Sequence, residues 1–353
     1  MEARESPAPP GPLVVGLLDE GGMAAWDEFV LACPEATFFH RAGWKKVIEE
    51  SFGHRAYFLY AERAGRLCGV LPLVHVKSPL FGNALIAGAF VVYGGPAVTE
   101  TAAMAALDAK ALALAEKLDV DHLEYRSRRR LHPEWAAKED LYYTFRRAIG
   151  ADPEKNLLAI PRKQRAAVRQ SLKHDLKGVI EADPDRAYDL YAQSVRNLGT
   201  PVFARKYFRN LKAVFGADCE ALVVEAGGRP VASLVSFFFR DEVLPYFAGG
   251  TPEARRFGAH DFMYYDLMCR AGAAGSRLFD FGRSKHDTGP FAFKKNWGFT
   301  PEALPYEFHL RKGGAVPENN PLNPKYRLFI AAWKKLPLPL ANRIGPHIVR
   351  HLG

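Results

Sequence analysis

The feature that most limits what this chain can fold into is that it repeats itself. AERAGRLCGVLPLVHV (61–76) is followed by VVYGGPAV (91–98), an Ala/Leu-rich helical run (101–118) and HLEYRS (122–127). Later, VEAGGRPVASLVSFFF (224–239) is followed by LPYFAGGTP (244–252), another helical run (259–274) and LFDFGRS (278–284). The separations agree within a few residues: Gly65 to Gly228 is 163, Gly95 to Gly250 is 155 and Ser127 to Ser284 is 157. Chance rarely keeps such an order, so the spacing predicts a tandem duplication of one α/β unit. Each unit reads strand, tight turn, long strand, strand, helix, strand, which predicts mixed sheets. A last strand is expected near ALPYEFHLR.

The expected organisation is a disordered Pro-rich start (1–12), a first unit (13–150), a helical connector plus second unit (151–316) and a basic apolar tail (317–353). In the connector, Leu157, Leu158, Ile160, Val168 and Leu172 alternate with basic residues in an amphipathic helical pattern, and a second helix is expected at about 186–198. With 353 residues, 48% of them hydrophobic, the chain needs no staples to fold. Cys33, Cys68, Cys219 and Cys269 form no CxxC pair and no zinc-finger spacing, so they read as reduced thiols of a cytoplasmic protein with no metal site. The acidic N-terminus does not resemble a signal peptide, and no run of 18 apolar residues predicts a membrane span.

The net charge of +9 favours anionic partners. Residues 319–353 contain no Asp or Glu, while Lys325, Arg327, Lys334, Lys335, Arg343 and Arg350 contribute +6. Tyr326, Phe329, Ile330, Trp333 and Leu336 lie among them, the mixture of interfacial segments. This tail can pack on the second unit with its lysines in water, touch the inner membrane face, or contact RNA.

The densest chemistry lies in DFGRSKHDTGPFAFKKNWGF (280–299), at a strand end where α/β sheets commonly place ligands, though a solvated loop has a similar composition. Ser284, His286 and Asp287 are too close in sequence to form a catalytic triad, and no GxSxG elbow exists. A second candidate is TPEARRFGAHDFMYYDLM (251–268), where Arg255, Arg256 and Gly258 lead into a helix whose first N–H groups can hold a phosphate or carboxylate. Arg162, Arg165 and Arg169 share one helical face, suited either to phosphates or to solvent. Arg126, Arg128, Arg129 and Arg130 follow the first unit's last strand, where the duplicate has Arg283, and read equally as surface.

The tandem units, the basic segment RKQRAAVRQSLKHD, the strand-end DFGRS and the FAFKKNWGF motif together resemble the FemAB-like proteins, double-GNAT-fold acyltransferases that include the aminoacyl-tRNA-dependent enzymes building peptidoglycan cross-bridges. The resemblance spans about residues 13–311. NPLNPKYRLFIAAWKKLPLPLANRIGPHIVRHLG is similar to the tail of the subgroup associated with exosortase (PEP-CTERM) and exopolysaccharide loci.

The resemblance implies transfer of an acyl or aminoacyl group to an amine, with the catalysis in the second unit. Acyl-CoA or aminoacyl-tRNA is the donor co-substrate, no cofactor is held permanently, and the acceptor is a small-molecule or lipid-linked amine. The family's Phe-Lys pair falls on Phe293 and Lys294, with Lys294 stabilising the developing oxyanion and Lys295 as its neighbour in an alternative register. Asp280, Arg283 and Ser284 are then expected to line the cleft, with Tyr246 as a proton donor or acceptor. Arg165 and Arg169 are expected on the substrate. Arg255-x-x-Gly258 approaches the GNAT pyrophosphate loop and departs from it at His260. The segment 154–215 is too short for the coiled-coil arm that grips tRNA in some relatives. The alternative is a non-catalytic membrane-surface adaptor of the polysaccharide machinery that keeps the fold.

Overall fold

The computed structural model describes residues 11–78, 82–317 and 327–353. Most of the N-terminal segment expected to be disordered, 1–10, and tail residues 318–326 lie outside these.

The first half runs β1 (Leu13–Leu17), α1 (Met23–Ala32), α2 (Gly43–Phe52), β2 (Arg55–Arg63), β3 (Arg66–Ser78), β4 (Gly82–Ala87), β5 (Ala97–Val98), α3 (Thr101–Lys117), β6 (His122–Tyr125), β7 (Ala136–Lys138) and β8 (Tyr142–Ala148). The connecting segment holds α4 (Pro153–Leu158) and α5 (Arg162–Ser171), separated at Pro161, whose ring cannot continue a helix. The second half runs β9 (Leu176–Glu181), α6 (Asp185–Leu198), α7 (Arg205–Phe215), β10 (Cys219–Ala226), β11 (Arg229–Phe239), β12 (Glu242–Gly250), α8 (Ala254–Phe257), α9 (Ala259–Ala273), β13 (Leu278–Asp280), β14 (Ser284–Lys285), α10 (Gly289–Asn296), β15 (Pro301–Ala303) and β16 (Tyr306–Leu310). Two helices follow, α11 (Arg327–Trp333) and α12 (Leu338–Val349).

The repeat is real in three dimensions. Both hairpins turn on two residues with positive φ, Ala64 and Gly65 (49° and 74°) and Gly227 and Gly228 (55° and 76°), the geometry that matches the twist of the flanking strands. In both halves the next strand is antiparallel, and the strand after the helix returns parallel: β4 with β6, β12 with β13. The fold is thus two mixed α/β sheets of the same design. Their orders are β1-β2-β3-β4-β6-β16-β7 and β9-β10-β11-β12-β13-β8-β14.

The sheets do not follow the boundary expected at residue 150. β8, written in the first half, pairs antiparallel with β13 in the second sheet. β16, written in the second half, pairs antiparallel with β6 in the first. Each sheet is therefore completed by a strand from the other half. The exchange is reinforced by Glu307 on β16, which is fully buried and accepts the backbone N–H groups of Leu131 (3.0 Å) and His132 (2.6 Å).

The halves also share one aromatic core. Phe38 stacks on Phe237 at 4.5 Å, Phe39 meets Tyr246 at 5.3 Å and Trp44 meets Phe215 at 5.2 Å. The continuous apolar run of β11 is explained by its central place, buried on both faces. No helix among the described residues is long and apolar enough to cross a membrane.

Candidate active site

In the second sheet β12 and β13 pair only at Glu242 with Leu278 and Val243 with Phe279. Beyond these residues β12 continues to Gly250 while β13 stops at Asp280, so the two parallel strands part and open the sheet edge-on. A bulge sits beside this opening: Val235 faces Phe247 and Ser236 faces Pro245, leaving Tyr246 as the extra residue. Bulges re-aim side chains, and the Tyr246 ring lies against Phe39, Phe237 and Phe247. Burial raises its phenol pKa, so the hydroxyl keeps its proton.

Asp280 ends β13 and is wholly buried. Its Oδ2 accepts from Tyr93 Oη at 2.8 Å and lies 3.3 Å from Arg146 Nε, and its Oδ1 accepts from Thr144 Oγ1 at 3.2 Å and Gly282 N at 2.7 Å. Both oxygens are thereby engaged by three strands or loops. Asp280, expected to line the cleft, thus ties the turn after β13 to β8 and to Tyr93.

Lys294, expected on the oxyanion, is likewise bonded into the fold. On α10 it is 9% exposed, and its Nζ donates to the carbonyls of Phe281 (2.6 Å), Gly282 (2.9 Å) and Arg283 (3.2 Å). An ammonium has three donors, so in this structure all of them are committed to backbone carbonyls. Burial pushes its pKa down to about 7, opposed by the charge of Asp280. Phe293 is half-buried against Tyr264 and Trp297. Lys295 is exposed, its Nζ 5.7 Å from the Phe291 ring.

The loop held by Lys294 presents Arg283 and Ser284. Arg283 Nη1 donates to Tyr306 Oη at 2.7 Å, and its guanidinium lies 4.6 Å over the Tyr142 ring. Ser284 Oγ is buried without a hydrogen-bond partner among the described residues, as is Ser236 Oγ on β11. Unsatisfied buried hydroxyls are costly and mark positions where a ligand atom can bond.

Opposite stands a residue that read equally as surface. Arg126, at the duplicate position of Arg283, is buried, donates to Glu124 Oε1 at 2.7 Å and to the Gly88 carbonyl at 3.0 Å, and lies 5.3 Å over the Tyr306 ring. Burial alone would raise the Glu124 carboxyl; the Arg126 guanidinium instead holds it at about 2. The duplication itself was the signal for Arg126, since Arg283 had already been singled out. Tyr306, Tyr142 and Tyr93 carried no such signal, because their partners come from distant segments.

At the far end of β12, Gly258 adopts φ +62° and starts α9 without a side-chain cap. The first N–H groups of α9 are thus left for another acceptor, and Arg255 and Arg256 lie exposed beside them. A Cβ on Gly258 would sit 3.1 Å from Ser171 Cβ, so α5 ends against this loop and brings its basic face alongside. On that face Arg165 is half-buried and Arg169 exposed, paired at 3.5 Å with Glu154. The imidazole of His260, where the pyrophosphate-loop pattern is broken, folds onto Gly250 rather than out to solvent.

Past the end of β6, the loops that precede α2 and β5 come together. A cavity of about 230 Å³ there is lined by Thr37, His40, Tyr93, Gly95, Ser127 and Arg128, among others. His40 Nδ1 accepts from Thr37 N at 3.1 Å and Nε2 donates to the Gly95 carbonyl at 3.1 Å, which fixes the neutral tautomer. Burial drives its pKa down to about 4.

These geometries can be set beside known proteins. Residues 160–295 match the family model of the acetyltransferase (GNAT) domain. No match is found among curated protein sequences. Among solved structures the chain is similar to FemX (15% identity, TM-score 0.66, covering 87% of this chain and 98% of that one). It is also similar to the C-terminal domain of a lysylphosphatidylglycerol synthetase from Agrobacterium fabrum (12%, 0.54, 82% and 91%) and to a tandem GNAT protein of clavulanic acid biosynthesis (17%, 0.52, 86% and 100%). Residues 160–295 thus form a GNAT-type acyltransferase domain, and the chain as a whole shares the fold of FemX and of the tandem GNAT protein.

Proposed function

We propose that the protein transfers an acyl or aminoacyl group to the amine of a cell-envelope or exopolysaccharide precursor, with the chemistry in the opening between β12 and β13. The single observation that supports this most is the parting of these strands beside the bulged Tyr246 and the Arg283–Ser284 loop. Acyl-CoA is the donor this arrangement fits. Its phosphates meet the uncapped start of α9 with Arg255 and Arg256, and its acyl end runs along β12. Aminoacyl-tRNA is the alternative donor; one similar structure is named for a lysylphosphatidylglycerol synthetase. The acceptor, small or lipid-linked, enters from the cavity of the first half, where Arg128 favours an anionic group.

In the reaction the acceptor nitrogen attacks the acyl carbon. The C–N bond forms, the C–S bond of a thioester (C–O of an aminoacyl ester) breaks, and the leaving group takes a proton. Tyr246 Oη, which keeps its proton, is the donor for that step and regains a proton from the amine nitrogen. Ser284 Oγ and the Arg283 guanidinium face the developing charge, and desolvation in the aromatic cleft strengthens their effect. Lys294 acts as a positioning residue that fixes the loop carrying both.

The test is release of coenzyme A from acetyl- and longer acyl-CoAs, and of free tRNA from aminoacyl-tRNA, in the presence of nucleotide-linked amino sugars, peptide amines or lipid-linked amines. Amine-dependent release that drops about a hundredfold in Tyr246→Phe supports the proposal. Release that Tyr246→Phe leaves unchanged removes Tyr246 from it.

A further inference from the structure

The two C-terminal helices are amphipathic in a way the enzyme's core does not require. α12 buries Ala341, Gly345 and Val349, one residue every four, and Gly345 packs so closely on Val202 that a Cβ there would lie 2.9 Å from its backbone nitrogen. The opposite face of α12 therefore looks outward, and it carries exposed Leu340, Arg343, Ile344 and His347. α11 buries Trp333 and sets Ile330 on Gly199 at the end of α6, while Arg196 holds the backbone of Leu336 at 3.1 Å. This leaves Leu328 85% exposed and Phe329 partly so, beside Leu198, which is 69% exposed.

Isolated exposed leucines are ordinary, but a set concentrated on two adjoining helices and the helix end beneath them is not. Its charge is equally one-sided. Residues 327–353 hold Arg327, Lys334, Lys335, Arg343 and Arg350 and no acid, so nothing on these helices neutralises them. Of these, Arg327, Lys334, Lys335 and Arg343 are exposed. Apolar side chains ringed by cations match a surface that offers anionic headgroups over hydrocarbon. A second copy of this face would bring like charges together, and a nucleic acid would leave the leucines unburied.

We propose that the face formed by α11, α12 and Leu198 docks peripherally on an anionic lipid bilayer. The helices lie in the headgroup plane with Leu328, Phe329, Leu340 and Ile344 inserted and the lysines and arginines on the phosphates. The site does not depend on which donor or acceptor the enzyme uses.

The test is sedimentation of the full chain with vesicles of phosphatidylglycerol and phosphatidylcholine in equal parts, and with pure phosphatidylcholine. The expected result is binding to the mixed vesicles only, weakened at 0.5 M salt. Each basic residue near such a surface contributes about fivefold in affinity, so Lys334→Gln/Lys335→Gln/Arg343→Gln is expected to weaken binding about a hundredfold. Leu328→Ser/Phe329→Ser/Leu340→Ser/Ile344→Ser is expected to abolish it. All seven positions are exposed, so both variants are expected to keep the wild-type melting temperature within a few degrees, and circular dichroism checks that they do. Wild type that fails to bind the mixed vesicles overturns the proposal, as does binding that neither variant weakens. A concentration-dependent dimer that the serine variant breaks, without vesicle binding, assigns the face to a second copy and equally overturns it.

Discussion

Arg126 and Arg283 occupy the same place in the two copies of the repeated unit, and both guanidiniums lie on the ring of Tyr306, at 5.3 and 5.6 Å. Tyr306 belongs to the exchanged strand β16, so the contact exists only because each sheet borrows from the other half. The two arginines differ in partnership. Arg126 is ion-paired to Glu124, whereas the side chain of Arg283 bonds the Tyr306 hydroxyl and lies over the Tyr142 ring.

That difference makes Arg283 the residue with binding capacity to spare. A lysine cannot reproduce its planar stacking on Tyr142 together with the bond to Tyr306. Arg283→Lys is expected to lower kcat/KM tenfold or more while shifting the melting temperature by only a few degrees. Steady-state kinetics beside a thermal scan measure both.

Lys294 illustrates the opposite case, a charged residue used for structure. Lys294→Met removes three hydrogen bonds to buried carbonyls and is expected to cost about 1–3 kcal/mol while releasing the Arg283 loop. If Lys294 acts through that loop, Lys294→Met and Arg283→Lys lower kcat/KM non-additively in the double variant. Full additivity would mean independent roles.

His40 makes stability depend on pH. Its folded pKa lies near 4, below the ordinary 6.5, because burial disfavours the cation and the charge of Arg128 adds to the effect. Between these values the unfolded chain binds the proton that the folded chain refuses. The stabilisation is therefore complete above pH 6.5 and lost as pH falls towards 4, by about 3 kcal/mol at most. Denaturant titrations from pH 7 to 4.5 are expected to show this slope in the wild type and a reduced one in His40→Asn.

The exchanged strands predict how the chain tolerates cutting. A chain ending at residue 304 loses β16, with the buried side chains of Tyr306, Glu307 and Phe308, from the first sheet, together with α11 and α12, which pack against Gly199 and Val202. Loss of such residues is comparable with the whole stability of a domain, about 5–15 kcal/mol. Limited proteolysis of the truncated chain is expected to cleave first within residues 13–140, far in sequence from the deletion.

Much of this was legible in the residues themselves. The Ala64-Gly65 and Gly227-Gly228 turns and the ordered motifs around them disclose the duplication, because hairpin chemistry is local. Tyr246, Arg283 and Ser284 were singled out because the family resemblance and the DFGRS motif point to them, and they lie on β12 and just past the end of β13. The strand exchange was not legible: YYTFRRA and YEFHL have the same alternation whichever sheet receives them. Nor were the roles of Asp280 and Lys294, since a carboxylate or ammonium in a motif does not reveal whether Tyr93 or three carbonyls will saturate it. Arg126 was ambiguous among four arginines until Glu124 and Tyr306 closed over it.

The most direct test of the central claim, that the opening between β12 and β13 takes an acyl donor whose anionic end rests on the start of α9, is calorimetric titration of the protein with acyl-CoAs and aminoacyl-tRNA. The account predicts binding of a donor by the wild type, weakened about tenfold or more in Arg255→Ala/Arg256→Ala with the melting temperature unchanged. Binding that the double variant leaves intact, or no binding of any donor, would contradict it.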